Sequence, residues 1–185
     1  MDATELLLSR NSMPQLTEPA PSTEVIERLI EAACRAPDHA WLKPWRFLLV
    51  QGKARQKLGD IYASAALLRD VEASEKVLDR LRNQPLRAPV IITVVAHTQS
   101  HPKVPKQEQV LSAGCAAQAI LLAAQAEGFA GIWRTGDNAY DPHVAKAMGL
   151  LANEEIVGFL YLGTAAGPLK VLPENDIKKY YRVWE

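Results

Sequence analysis

Hydrophobic and polar positions along the chain alternate between two kinds of pattern. Val90-Ile-Ile-Thr-Val-Val-Ala96 is an almost unbroken β-branched run framed by Pro85 and Pro89, and its lack of alternation predicts a central strand buried on both faces. Arg46 to Val50, Ala130-Gly-Ile-Trp133 and Ile156-Val-Gly-Phe-Leu-Tyr-Leu-Gly163 predict three further strands. Between them the period becomes helical. A short helix capped by Asp2, with Glu5 answering, delivers Arg10-Asn11-Ser12. Ser22 or Thr23 then caps a helix carrying Val25, Ile26, Leu29, Ile30 and Ala33 on one face. Helices are also expected from Lys53 to Leu68, with Leu58, Ile61 and Tyr62 inward, and from Gln107 to Glu127, closed by Gly128. Asp141-Pro142 opens another, which Gly149 closes. The charged stretch Asp70 to Asn83 is expected as a surface helix covering part of the core. Four strands separated by helices predict an α+β (mixed α/β) unit of three layers.

One connection is unlike a simple linker. Between the second helix and the strand entered at Arg46 lies Arg35-Ala-Pro-Asp-His-Ala-Trp-Leu-Lys-Pro-Trp-Arg-Phe47. Pro37 ends the helix, and Pro44 biases Lys43 toward extended backbone. Indoles, an imidazole and cations held at a strand end suit a flat, anionic, heteroaromatic ligand.

Composition narrows the field of functions. The 185 residues are 48% hydrophobic and 23% charged, with 21 basic against 21 acidic residues. Neither disorder nor a polyanionic partner such as nucleic acid fits that balance. Cys34 and Cys115 form no paired motif and are expected as reduced, packed thiols. The first residues lack the features of a signal peptide, so a cytoplasmic protein is expected.

Several chemistries lack their motifs. No G-x-G-x-x-G joins a strand to a helix, and the glycines from Gly158 to Thr164 precede no P-loop lysine. No G-x-S-x-G elbow surrounds any serine. His97 and His101 stand four apart, but Pro102 opposes the helix that would align them, and no metal site is expected. What remains is a set of cations at element ends: Arg10, Arg35, Lys43, Arg46 and Arg134. Singly each is an ordinary solvated charge. Together they fall where an α/β sheet places its ligand crevice, with Ser12 and Thr135 as hydroxyl donors and His39 as a stacked or hydrogen-bonded contact.

Arg10-x-Ser12, Arg35-Ala-Pro-Asp-His39, Pro44-Trp-Arg-Phe47, Ala88-Pro89, Gly128-Phe-x-Gly-Ile-Trp-Arg134 and Val157 to Gly163 together resemble the nitroreductase family, and most closely its small single-domain bacterial NAD(P)H nitroreductase-like members. The resemblance implies a nitroreductase-like fold, with a central mixed sheet flanked by helices and residues 1–185 as one FMN-binding domain. It implies a homodimer with FMN at the subunit interface, the aromatic tail 164–185 packing on the partner. Arg10, Asn11, Ser12, Arg35, His39, Trp133, Arg134 and Thr135 match FMN-contacting positions. Ala123, Ala124, Gln125, Ala126, Glu127 and Gly128 match a stretch associated with NAD(P). Asn11 departs from the family, whose small branch carries a second arginine there. The lost charge implies either weaker FMN affinity or compensation by another cation such as Lys43.

The implied activity is an FMN-dependent oxidoreductase that passes hydride from NAD(P)H through the flavin to nitroaromatics, quinones or similar electrophiles by a ping-pong mechanism. The chemistry resides on the flavin N5, so no catalytic side chain is expected. A flavin-binding carrier or sensor with little turnover is the alternative.

Overall fold

β3 (Val90–His97) lies between β2 (Trp45–Gln51) and β5 (Glu154–Ala165) in the computed structural model, which describes residues 2–185. Its alternate residues enter two different cores. Val90, Ile92 and Val94 join Leu160 and Leu162 against α2 (Thr23–Ala33) and α5 (Lys106–Ala126). Ile91, with Phe159 and Tyr161, packs against α3 (Ala54–Arg69) and α4 (Glu75–Asn83). A strand buried on both faces has no polar side to alternate with.

β5 is the longest strand and the hub of the sheet. It pairs with β3 on one edge and with β4 (Ala130–Arg134) on another, and its end meets a two-residue strand, β1 (Leu16–Thr17), that the sequence pattern did not predict. Every pairing described is antiparallel. Helix number explains the directions. The pair α3 and α4 carries the chain out and back, so β3 returns beside β2 reversed. Single α5 carries it across instead, so β4 runs along β3 with β5 inserted between them.

Two glycines set the layer spacing. A Cβ at Gly59 would lie 2.1 Å from the Arg82 carbonyl oxygen, which seats α4 directly on α3. A Cβ at Gly131 would meet Leu162 and Leu121 within 2.9 Å, which lets α5 close on the sheet. Two short helices, α6 (Gly136–Tyr140) and α7 (Pro142–Ala147), link β4 to β5; Asp141 caps the second by accepting from the His143 and Val144 amides. The first of these was not visible in the sequence pattern. α5 is long and apolar enough to cross a membrane, yet its inward face is packed on the sheet.

Three local expectations need correction. Lys43 is not extended but left-handed, at φ 47°, because the Asp38 carboxylate accepts from both the Leu42 and Lys43 amides and winds the loop back on itself. Cys34 and Cys115 are free thiols, as expected, but both are exposed in the chain, at the end of α2 and on the outward side of α5. The stretch before α4 is turn, and the helix begins only at Glu75, after Ser74, whose side chain makes no capping bond.

Candidate functional site

The end of the first helix, α1 (Ala3–Ser9), is fixed at both ends. Asp2 caps it, accepting from the Glu5 amide at 2.8 Å, and Gln125 on α5 donates to Ser9 Oγ at 2.9 Å. The chain then turns through Arg10-Asn11-Ser12 and is tied to β4 by the Met13 amide donating to the Gly131 carbonyl. In that turn Arg10 Nη1 donates to Ser12 Oγ at 3.3 Å. Asn11 is a clamp: its Oδ1 accepts from the Ser12 amide at 2.8 Å, and its Nδ2 donates to the Lys170 carbonyl at 2.6 Å. The clamp brings the start of the tail beside Arg10 and Ser12. A guanidinium and a hydroxyl already turned to one another are donors of the kind that a phosphate monoester takes.

Beside this turn a cavity of about 380 Å³ is lined by Ser9, Asn11, Met13, Gln125, Gly128 and Leu169. Only part of the segment Ala123–Gly128 therefore faces open space. Ala124 is fully buried in the core, Ala123 packs against that core, and Ala126 is exposed elsewhere. Glu127 is occupied by a two-pronged pair with Arg28, at 2.7 and 2.8 Å. That pair holds the Glu127 carboxyl below its usual range.

Arg35 and His39 belong to a different surface. Arg35 leaves α2 exposed, and His39 Nδ1 lies 2.8 Å from Glu108 Oε2 on α5. Arg35, Asp38, Trp41, Lys43 and Trp45 line a cavity of about 410 Å³. Ala40, Trp41 and Lys43 all take positive φ (63°, 57° and 47°), a conformation that costs a non-glycine residue roughly 1–2 kcal/mol. The Asp38 bonds hold the loop in that state, and Trp41 stands 85% exposed at its tip.

Trp133, Arg134 and Thr135 end β4, and the pleat sends the first two to opposite faces. Trp133 turns toward α5. Its indole lies over Gly158, where a Cβ would come within 2.1 Å of Nε1. A bulge opposite Val94 and Val95 leaves Val157 out of the ladder, and the Val157 carbonyl accepts from the indole N–H at 3.3 Å. Arg134 turns the other way and places its guanidinium 5.6 Å from the Tyr161 ring centre. Thr135 lies where the chain leaves the sheet for α6.

Arg46, counted among the cations at element ends, is already satisfied. It donates from Nε and Nη2 to the two oxygens of Glu154, at 2.8 and 2.5 Å. With the Leu151 amide and His97 Nδ1 also at that carboxylate, Glu154 is held down to about 2, chiefly by Arg46. His97 is thus turned to Glu154, while His101 Nδ1 accepts from the Lys103 amide.

Within one chain the candidate residues thus form three groups. Arg10, Asn11 and Ser12 share a turn that Asn11 ties to the Lys170 backbone; Arg35 lines another cavity, with His39 turned to Glu108; Trp133 and Arg134 are divided by the sheet. The contact between Asn11 and Lys170 was not foreseen from the sequence, because Lys170 lies in the exposed tail shortly after the last strand.

The family model for the nitroreductase family matches residues 7–164. The chain is 45% identical over 164 residues to the Escherichia coli (strain K12) protein named "Putative NAD(P)H nitroreductase YdjA", covering 89% of this chain and 88% of that one. It is 38% identical over 185 residues to a Haemophilus influenzae protein named "Putative NAD(P)H nitroreductase", covering 97% of this chain and all of the other. Among solved structures, a nitroreductase-like family protein from Bacillus cereus superposes with a TM-score of 0.86 at 22% identity, covering 100% of this chain and 97% of that one. The FMN and NADPH-dependent nitroreductase NfnB from sphigopyxis sp. strain HMH superposes at 0.77 and 18% identity, with both chains fully covered. The two structural likenesses establish the α+β nitroreductase-like fold, and the sequence matches establish descent: the chain belongs to the nitroreductase family of oxidoreductases.

Proposed function

We propose that this chain is an FMN-dependent NAD(P)H oxidoreductase that works as a cytoplasmic homodimer on nitroaromatics, quinones or similar flat electrophiles, by a ping-pong mechanism. Residues 1–185 act as one domain. The observation that carries the reading is the convergence of Arg10, Ser12 and the Lys170 segment, organised by Asn11, on a corner suited to a phosphate monoester.

Bound FMN supplies the hydride relay. The chain's own residues have four tasks. Arg10, Ser12 and Lys170 hold the phosphate, and Asn11 fixes their spacing. Thr135 and the adjoining backbone line the flavin's inner side, with Trp133 as a rigid prop beneath them. Arg35 and His39 lie on a separate surface of the same chain, so they serve the flavin held by a second copy. Gln125 and Gly128 are the members of Ala123–Gly128 placed to meet a nucleotide. The exposed Tyr180, Tyr181 and Trp184 of the tail dock on the second copy and shield the site from water.

The carrier alternative rested on the charge missing at Asn11. Lys170, whose backbone that same asparagine holds, is the cation we assign in its place, which favours the enzyme over the carrier. Lys43 lines the cavity beside Arg35, so any cation it adds would go, with Arg35, to the flavin held by the second copy.

Purification as a yellow dimer, followed by anaerobic mixing with NADH or NADPH, tests the reading. Bleaching of the flavin and its recovery on adding a nitroaromatic are expected. A colourless protein that takes up no added FMN would overturn the cofactor assignment. A flavin that stays oxidised in both nucleotides would restore the carrier reading.

A further inference from the structure

α1 presents two polar side chains to the cavity beside the flavin corner, and only one of them has a partner. Ser9 accepts from Gln125 on α5 at 2.9 Å. Glu5 stands four residues earlier, which puts it one turn away on the same face of the helix. Both line the cavity of about 380 Å³. Asp2 accepts from the Glu5 amide, but the return bond from the Glu5 side chain that the sequence led us to expect is not made. Nor does that side chain form an ion pair among the described residues. Its carboxylate is left for the cavity.

Glu5 is the only ionisable side chain among the described residues of the wall. Met13, Leu121, Phe129 and Leu169 give the cavity an apolar side, which suits a purine ring. Another part of the wall, at Gln125 and Gly128, is the end of the 21-residue α5. A helix C-terminus carries partial negative charge. The neighbouring acid, Glu127, is neutralised by Arg28.

Negative charge at two places in one wall decides what the cavity takes. A ribose diol donates hydrogen bonds to a carboxylate, whereas a phosphate monoester on the same ribose brings like charge against it. NADH and NADPH differ by that one group, on the ribose of the adenosine half. The reach is suitable as well. Asn11 belongs both to this wall and to the clamp on Ser12, so the cavity abuts the corner that holds the flavin's phosphate. A dinucleotide with its nicotinamide stacked on the flavin ring is long enough to carry its adenosine half past that corner.

We propose that Glu5 is a specificity-determining residue that makes this chain select NADH over NADPH. The inference rests on the proposed FMN-dependent activity and deepens it. Glu5 accepts from the hydroxyls of the adenosine ribose, the apolar side holds the adenine, and the end of α5 adds to the exclusion of a 2′-phosphate. Arg10 and Lys170 do not offset this, because the FMN phosphate occupies them.

Two measurements on the full-length protein test it. The first is calorimetric titration, with and without added FMN, using ADP-ribose and ADP-ribose 2′-phosphate, neither of which reduces flavin. ADP-ribose should bind about tenfold or more tightly than its 2′-phosphate; Glu5→Gln should narrow the gap to about threefold or less, and Glu5→Lys should reverse it. Glu5 is exposed and its backbone N–H makes the cap bond, so both variants keep the fold. The second is anaerobic flavin reduction by NADH and by NADPH, in which the preference should lie in KM and not in kcat, because Glu5 is remote from the reacting atoms. Equal affinity for the two probes, no binding of ADP-ribose, or a preference unchanged in both variants would overturn the proposal. The two failures are separable. Reduction by both nucleotides with equal KM would keep the flavoprotein reading and remove the role of Glu5. Selective binding of ADP-ribose without reduction by either nucleotide would keep the role of Glu5 and remove the activity.

Discussion

Asn11 and Lys170, 159 positions apart in sequence, are joined by a 2.6 Å hydrogen bond from the asparagine amide to the lysine carbonyl. The bond closes the tail onto the turn after α1 and puts Lys170 within side-chain reach of Arg10 and Ser12. Lys170→Ala should therefore weaken FMN binding by roughly ten- to a hundredfold, the range for one lost charge-assisted contact. Arg10→Ala should do at least as much. Asn11→Ala should cost less, because it loosens the clamp without removing a charge. Flavin fluorescence titration of the three variants checks the order. Equal affinities in wild type and Lys170→Ala would remove Lys170 from the phosphate corner.

Asn11→Arg makes the family's usual residue at that position. It adds a charge but breaks the bonds to the Ser12 amide and the Lys170 carbonyl. The two effects oppose one another, and affinity should change by less than about threefold. Gains of a hundredfold in the same titration would show that charge, not geometry, limits this corner.

What the sequence disclosed and what it hid divide along physical lines. The β-branched run at Val90–Ala96 could only be a central strand, because no solvent-facing positions interrupt it. The caps at Asp2, Ser22 and Asp141 were legible because the bonds they accept lie within three residues. Lys43 was misjudged because two amide bonds to Asp38 outweigh the local bias from Pro44. The Asn11 contact was out of reach, since its partner is folded in from the tail. Sequence identified Trp133 and Arg134 as neighbours, but only the pleat separates them to opposite faces.

Trp133 depends on Gly158 having no side chain. A Cβ there would approach the indole to within 2.1 Å at Nε1 and 2.6 Å at Cδ1, so Gly158→Ala must displace the ring or the bulge. Overpacking of this kind costs about 1–3 kcal/mol. Urea unfolding should show that loss, and tryptophan emission should shift as the bond to Val157 breaks. Gly114→Ala is the contrast: its Cβ would meet the same indole at an ordinary 4.0 Å, and a mid-helix alanine should be neutral or stabilising by up to about 1 kcal/mol. Equal losses from both changes would contradict this account of the packing.

The tail can be divided experimentally. Ending the chain at Leu172 keeps Lys170 and removes Tyr180, Tyr181 and Trp184, which are 63–89% exposed in the single chain. If those rings dock on a second copy, sedimentation should show a weakened dimer, and FMN should be lost with it. Retention of a tight, yellow dimer would leave the tail without that role.

Glu154 should dominate the acid limb of stability. Its side chain is 1% exposed and accepts from Arg46, Leu151 and His97. Those contacts, led by Arg46, bring its carboxyl from 4.5 to about 2 in the folded chain. A depressed folded value means that the unfolded chain takes the proton first as pH falls. The stabilisation is therefore complete above about 4.5 and is lost progressively down to about 2. Its size is on the order of 3 kcal/mol. Glu154→Gln, which leaves Arg46 without its partner, should be destabilised by roughly that amount at neutral pH, and its stability should change less between pH 5 and pH 2 than that of the wild type. Urea unfolding at pH 7, 4 and 3 measures both. Parallel acid limbs in the two proteins would show that Glu154 is not the titrating group.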